Sequence, residues 1–266
     1  MSALLMADVV RHEMRPSRPT GLDHRTRETR ARHAARFVAD VDPALDLRWR
    51  PGPWFALTVL PVSPEHDEYF FIRSLQAHEM VFTTLTEHVR GATEALRDGD
   101  VAAATDGLHH ATRVIGRATM LLRLVATMRR SAFQRFRQHT DGASAIQSEA
   151  YKRFELACGR PTAAPTESEA FDNVPEVRAE ASSADSFTQA WHDVGDPDSA
   201  ELVHAVERLE AVHQRWKTTH HALAASMLGD APGSGYTEGV PYLHGCLDNR
   251  LFGLHARAVR RSPIAA

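Results

Sequence analysis

Two side chains in this sequence have types and spacings that suit binding chemistry. His220 comes four residues after Trp216, which places both on one face of a helix. Arg137 directly follows Phe136 and precedes a turn of small residues, 142–148. A neutral imidazole can ligate a metal, and a guanidinium can bind a carboxylate through two parallel hydrogen bonds. The first pattern is compatible with a metal site and the second with an anion site.

Each of these residues also has an ordinary interpretation. A lone histidine in a helix is more often a packing or surface residue than a ligand, and an arginine in a polar turn is usually solvated. His221, the neighbour of His220, points about 100° away around the helix, so the two imidazoles cannot ligate one metal ion. The two residues by themselves leave both roles open.

The surrounding residues extend these two patterns into three groups that follow each other along the chain. The groups are His66-Asp67-Glu68 with Phe71, Ile72, Gln76 and Glu79; Phe136-Arg137 with Gly142, Ser144, Gln147 and Ser148; and Gln214-Arg215-Trp216 with His220 and Gly229. In this order and spacing, from about Pro51 to Leu243, the chain resembles the tryptophan 2,3-dioxygenase superfamily of histidine-ligated haem oxygenases.

The resemblance implies a helical protein that binds haem b. His220 would be the proximal iron ligand, inside the Trp-x-x-x-His frame that begins at Trp216, and it would leave the opposite coordination position open for O2. Ser144 matches the family's turn over the haem. Ala145 replaces a glycine of that turn, and its methyl group would narrow the space near the iron-bound oxygen.

The resemblance also implies an aromatic amino acid as substrate. Arg137 would bind its carboxylate, while Phe71 and Phe133 would line the pocket for the ring. Ser234 lies in the glycine-rich stretch 233–239, where the family has a loop whose hydroxyl meets the substrate's amino group. Tyr236 and Glu238 depart from that loop's pattern, and Glu238 is an alternative partner for the ammonium group.

Leu75 stands where the dioxygenases have a histidine that contacts the indole nitrogen. A leucine offers no hydrogen bond, which would weaken the orientation of the ring by about 1–3 kcal/mol. With Ala145 and the altered 233–239 loop, this favours the 2-oxindole-forming monooxygenase branch, which needs an external reductant. The alternatives are a true dioxygenase that gives N-formylkynurenine, a tyrosine-type aromatic hydroxylase, and a haem-binding sensor without turnover.

Composition places limits on the remaining function classes. The chain has 266 residues, a formal net charge of −3, and only two cysteines, Cys158 and Cys246, so no disulfide framework is expected. No apolar run approaches the roughly 20 residues that cross a bilayer, so we expect a cytoplasmic protein without membrane contact. Residues 1–50 form a basic N-terminal arm, but they lack the interleaved aromatic residues of a nucleic-acid surface.

The hydrophobic pattern predicts an all-α fold, with a single helical-bundle domain over residues 51–266 behind the arm. Helices are expected at about 67–97, from an N-cap at Asp100 to about 130, 131–137 with Ser131 as N-cap, 145–157, 198–228 and 241–258. Residues 159–186 read as a long connection with short helical pieces. The resemblance further implies a homo-oligomer, a dimer or tetramer, with Trp54 near a segment that reaches the neighbouring subunit.

A di-iron helical bundle was the competing metal site. Such a site needs two Glu-x-x-His pairs and two further inward-facing glutamates. Glu210 and His213 form one such pair, and the full set of ligands on separate helices is not predicted.

Overall fold

The computed structural model describes residues 65–137, 148–159, 185–195, 197–233 and 238–254. Several expectations fall outside these ranges. They concern the N-terminal arm with Trp54, the turn with Ser144 and Ala145, most of the 159–186 connection, and the loop residues from Ser234 to Thr237.

The described residues form an all-α fold, as predicted, with seven helices and no strand among them. The helices are α1 (His66–Arg97), α2 (Val101–Val125), α3 (Arg130–Phe136), α4 (Glu149–Cys158), α5 (Phe187–Asp193), α6 (Ala200–Leu228) and α7 (Val240–Cys246). None of the described helices is long and apolar enough to cross a membrane.

Local chemistry sets the ends of the two long helices that follow α1. The Asp100 carboxylate accepts the N–H of Ala103 at 2.9 Å, which confirms the predicted N-cap of α2. At α6, the Ser199 hydroxyl accepts the N–H of Leu202 at 3.2 Å, and the helix stops at Gly229, where φ is +59°. A positive φ favours glycine, so the stop at Gly229 follows from the sequence.

The junction between α2 and α3 differs from the prediction. α2 ends at Val125 rather than near residue 130, and the chain turns before α3 begins. The start of α3 depends on a contact with another helix, because the carboxylate of Asp67 in α1 accepts the N–H of Arg129 at 3.0 Å. Asp67 therefore satisfies a free N–H at the start of α3. Ser131 lies inside α3, so its predicted role as N-cap was wrong.

Two other boundaries also needed correction. α4 begins at Glu149 instead of residue 145, because the Ser148 hydroxyl caps it by accepting the N–H of Tyr151 at 3.0 Å. α7 ends at Cys246, well before residue 258, because the chain turns there to place backbone groups against α6. α5 follows the predicted 159–186 connection, at a place where no helix was predicted.

α2 packs between α1 and α6, and α4 packs against α1. Two clusters of buried apolar side chains result. The larger lies among α1, α2, α4 and α6 and includes Phe82, Leu85, Leu108, Ile115, Phe154, Leu209 and Trp216. The smaller surrounds α3 and consists of Val125, Met128, Phe133, Phe136, Met227 and Leu228. Leu223 of α6 packs against both clusters, so this stretch of α6 marks their junction.

Candidate functional site

Trp216 lies at the centre of a group of aromatic rings between α1, α4 and α6. Its ring meets Phe82 edge-on, with centroids 5.1 Å apart, and stacks with Tyr151 at 5.7 Å. His213 and His220, one turn to either side on α6, have ring centroids 6.3 and 5.5 Å from it. The indole is buried, and its Nε1–H has no hydrogen-bond partner among the described residues. The indole of Trp216 is therefore held by its neighbours and forms the surface against which the His220 ring packs.

His220 is held in its neutral form. The pKa of His220 is lowered to about 4. Burial is the main cause, and the nearby His78 and His221 contribute to the same shift. Near neutral pH its ring therefore keeps an unprotonated nitrogen, the form that binds a metal. His220 also lies three residues before Leu223, at the junction of the two apolar clusters. The donor type and the apolar surroundings fit an axial ligand of haem.

His221 has a different environment. Its ring lies 5.6 Å from that of His244 in α7, with the ring planes tilted by 55°. This separates it from the Trp216 side of α6, as the helical spacing predicts. Of the two adjacent histidines, His220 is the one in contact with the aromatic group.

Two of the residues predicted to line a ring-binding pocket lie together. Phe71 of α1 meets Phe133 of α3 with centroids 5.7 Å apart, and it meets Phe136 at 5.6 Å. Phe133 and Phe136 are buried, while Phe71 is partly exposed. Leu223 and Ala224 of α6 pack against the same cluster, so the phenylalanines and His220 belong to neighbouring regions.

Arg137 lies directly beside these rings. Its guanidinium carbon is 5.7 Å from the centre of the Phe133 ring, and its Nη2 donates to the carbonyl of Pro232. Burial lowers the pKa of Arg137 from its ordinary value, which reflects partial loss of water around the cation. Pro232 precedes Ser234 by two residues. The structure therefore brings the predicted carboxylate-binding arginine to the start of the predicted closing loop.

Leu75 lies on α1, one turn after Phe71, and is partly exposed. Ser144, Ala145 and Ser234 lie outside the described residues, so their predicted roles stay predictions.

Several polar residues that the sequence reasoning did not use as site residues are buried in the same region. Glu79 accepts the N–H of Ala150 at 3.2 Å, at the start of α4. The ammonium group of Lys217 donates to the carbonyls of Cys246, Leu247 and Asn249, at 2.5–3.3 Å. Both tie other segments to the site helices.

The Glu-x-x-His pair that suggested a di-iron bundle has structural partners instead. Glu210 accepts the N–H groups of Leu251 and Phe252 at 2.9 and 3.3 Å. His213 bonds through Nε2 to the hydroxyl of Tyr151 at 3.0 Å. The bonds to Glu210 hold the segment after α7 against α6, and the bond to His213 holds α4 against α6.

His78 of α1 is a further buried polar residue, and the sequence motifs assigned it no role in the site. Its ring lies 6.0 Å from that of Trp216, and its Nδ1 is 2.8 Å from the carbonyl oxygen of Ser74. Burial lowers the pKa of His78, although the bond to Ser74 opposes this. The one available signal was a histidine on an apolar stripe, one turn after Leu75.

Comparison with known proteins connects this geometry to a family. Three similar proteins are the tryptophan 2,3-dioxygenase of Pseudomonas fluorescens, tryptophan 2,3-dioxygenase 1 of Ralstonia nicotianae, and the tryptophan 2,3-dioxygenase of a Polaromonas species. The first is 26% identical over 72% of this chain and 82% of its own. The second is 26% identical over 72% and 79%, and the third 25% identical over 91% and 96%.

This chain is a distant homologue of tryptophan 2,3-dioxygenases. The relation extends over most of its length. No family model matches the chain. The homology supports the superfamily that the motifs around Phe71, Arg137 and His220 resemble, and it leaves the branch open.

Proposed function

We propose that this protein is a haem-dependent oxygenase that oxidises the indole ring of tryptophan or of a tryptophan derivative. The observation that supports this most strongly is His220, a neutral imidazole beside Trp216 in a distant homologue of tryptophan 2,3-dioxygenases. His220 would hold the iron of haem b, and Trp216 would pack against the His220 imidazole. When bound, the haem supplies the activation of O2.

The remaining residues have positioning roles in this proposal. Arg137 binds the carboxylate of the amino acid, and its partial burial strengthens a charge-assisted pair. Phe71 and Phe133 contact the ring from α1 and α3. Ser144 and Ser234 would contribute hydroxyl groups near the haem and the substrate's amino group, and the methyl group of Ala145 would narrow the substrate pocket.

Leu75 favours insertion of a single oxygen atom, to give a 2-oxindole in secondary metabolism. At this position the chain offers no hydrogen bond to the indole nitrogen, so the ring is held by apolar contact and by its carboxylate. One atom of O2 then enters the substrate and the other leaves as water, which requires two electrons and two protons from an external reductant. The protein would work as a homo-oligomer, with residues 1–50 as an arm.

Product analysis tests the reaction type. The haem-loaded protein is supplied with isotopically labelled O2, a reductant, and either L-tryptophan or a β-methylated relative. We expect a product with one labelled oxygen atom, formed only when the reductant is present. A product with two labelled atoms, formed without continuous reductant, would instead identify a dioxygenase that gives N-formylkynurenine.

The same samples distinguish a tryptophan oxygenase from a tyrosine-type hydroxylase and from a haem-binding sensor. Hydroxylation of tyrosine in preference to tryptophan would point to the tyrosine-type enzyme. A haem spectrum that no aromatic amino acid perturbs, with no product, would favour the sensor. Absence of bound haem would contradict the proposed function as a whole.

A further inference from the structure

His78 presents a buried nitrogen lone pair. Its Nδ1 lies 2.8 Å from the carbonyl oxygen of Ser74, and a carbonyl oxygen only accepts hydrogen bonds. Nδ1 therefore carries the ring proton. With the proton of the neutral ring on Nδ1, Nε2 is left as an acceptor. Nε2 is buried and has no hydrogen-bond partner among the described residues.

This lone pair lies next to the predicted iron ligand. The rings of His78 and His220 come from different helices and both contact Trp216, with centroids 6.0 and 5.5 Å from the indole. The two rings therefore flank the same indole. α1 thus delivers an acceptor to the face of α6 on which His220 lies.

An imidazole that ligates iron through one nitrogen has an N–H on the other nitrogen. A buried N–H needs an acceptor, and metal-ligating histidines almost always donate this hydrogen to a nearby group. The neighbouring Trp216 has only a donor, so it cannot accept. His221 contacts His244 on another side of α6. Among the described residues, Nε2 of His78 is a buried acceptor on this side of α6 that has no other hydrogen-bond partner.

We propose that His78 is a positioning residue for His220: its Nε2 accepts the N–H of the iron-ligating imidazole. The inference rests on the proposed function, in which His220 holds the haem. Ser74, His78 and His220 then form a chain of hydrogen bonds in which the Ser74 carbonyl fixes the tautomer of His78, and His78 fixes the tautomer and rotation of His220. Acceptance of the N–H also makes His220 a stronger electron donor to the iron.

The test compares His78→Leu with His78→Gln in the haem-loaded protein. Leucine removes the acceptor, whereas glutamine retains a carbonyl oxygen that can accept the N–H. We expect His78→Leu to bind haem, to shift the iron–histidine vibration in the resonance Raman spectrum to lower frequency, and to raise the reduction potential. His78→Gln should recover part of both shifts.

His88→Leu is the matched control. His88 lies on the same helix and its ring stacks on that of His110, with centroids 5.5 Å apart. This variant should leave the vibration and the potential at their wild-type values. An unchanged vibration in His78→Leu would overturn the inference. So would loss of haem from His78→Leu as complete as from His220→Ala, because His78 would then itself be a ligand.

Haem-free protein separates failure of this inference from failure of the proposed function. Nitrogen-15 NMR of the imidazoles reports which nitrogen of each ring carries the proton. We expect His78 to be protonated at Nδ1 and the tautomer balance of His220 to change in His78→Leu. Protonation of His78 at Nε2, or a His220 signal indifferent to the substitution, overturns the inference even if the wild-type protein binds no haem.

Discussion

At the scale of single residues, His220 combines a lone pair with surroundings that keep it unprotonated. Burial opposes the charged ring, and His78 and His221 add to that effect. A solvated histidine near its ordinary pKa would be partly protonated in mildly acidic solution and would bind a metal less well. The neutral state of His220 is therefore a property of the fold as well as of the residue.

The first prediction concerns pH. The pKa of His220 is about 4 in the folded chain, below the ordinary 6.5, so the unfolded chain binds more protons between these values. The free energy of unfolding should therefore fall as the pH drops through this range, by on the order of 2–3 kcal/mol for this residue. Denaturant unfolding of haem-free protein near neutral pH and near pH 4.5 measures the loss.

Two variants make that experiment specific. His220→Gln cannot be protonated, so it should lose less stability over the same pH interval than the wild type. His204→Gln replaces an exposed histidine of the same helix and should lose as much as the wild type. Equal losses in all three proteins would show that His220 is not held neutral by the fold.

The second prediction concerns Arg137. In Arg137→Ala, the kcat/KM for L-tryptophan should fall by about 10–100-fold, because a charge-assisted pair with the carboxylate is lost. Tryptamine has no carboxylate, so the same substitution should change its kinetics little. Steady-state kinetics with both compounds measures the difference.

Arg135→Ala is the control for charge, because Arg135 is on the same helix and pairs with Glu65 at 2.5 Å. It should retain wild-type kinetics with both compounds. Since Arg137 also donates to the Pro232 carbonyl, circular dichroism should verify that each variant is folded. Ring oxidation of L-tryptophan that survives intact in Arg137→Ala would contradict the role of Arg137 as the anchor.

At the scale of helices, the sequence predicted the ends that depend on local chemistry. The Asp100 N-cap and the stop at Gly229 both follow from residues within one turn of the helix end. The start of α3 could not be predicted in this way. It depends on Asp67, 62 positions away from Arg129, and nothing in the sequence near Arg129 indicates that contact.

The candidate site likewise contains residues that the local sequence identifies and contacts that depend on the packing of separate helices. Residue type and spacing identified His220 and Arg137 as candidates, and the structure brings Phe71, Phe133 and Arg137 together. His78 lies on α1, whereas Trp216 and His220 lie on α6. The rings of His78 and His220 both contact Trp216 only once these two helices pack together. Sequence periodicity could mark His78 as buried, but it could not name its neighbours.

The third prediction tests how α4 and α5 are joined. Gly159 ends α4 at φ +94°, and a Cβ there would lie 2.5 Å from Cβ of Thr188. Thr188 donates to the carbonyl of Cys158 at 2.8 Å, which holds α5 against the end of α4. Gly159→Ala should lower the free energy of unfolding by about 2–5 kcal/mol, from backbone strain and overpacking together.

Gly195 provides the matched variant. It has a similar φ of +82°, but a Cβ there would meet nothing within 4 Å. Gly195→Ala should therefore cost only the backbone strain, about 1–2 kcal/mol. Thermal or denaturant unfolding compares the two. Equal losses would contradict the close contact between Gly159 and Thr188.

At the scale of the whole molecule, the site lies at the junction of two apolar clusters. The larger cluster surrounds Trp216, and the smaller one contains Phe133 and Phe136; Leu223 packs against both. In the proposed function, α6 would supply the metal ligand, while α3 and its C-cap residue Arg137 would supply the residues for the ring and the carboxylate. The distant homology to tryptophan 2,3-dioxygenases supports the superfamily, and the roles of these helices belong to the proposal.

The central claim is that the imidazole of His220 holds a haem. Haem content and the absorption spectrum of the reduced and oxidised protein test it most directly, with His220→Ala compared with His221→Ala, which alters the adjacent ring on another side of α6. We predict that His220→Ala loses the Soret band and most of its haem, while His221→Ala keeps both. An undiminished Soret band in His220→Ala at wild-type haem occupancy would contradict the account.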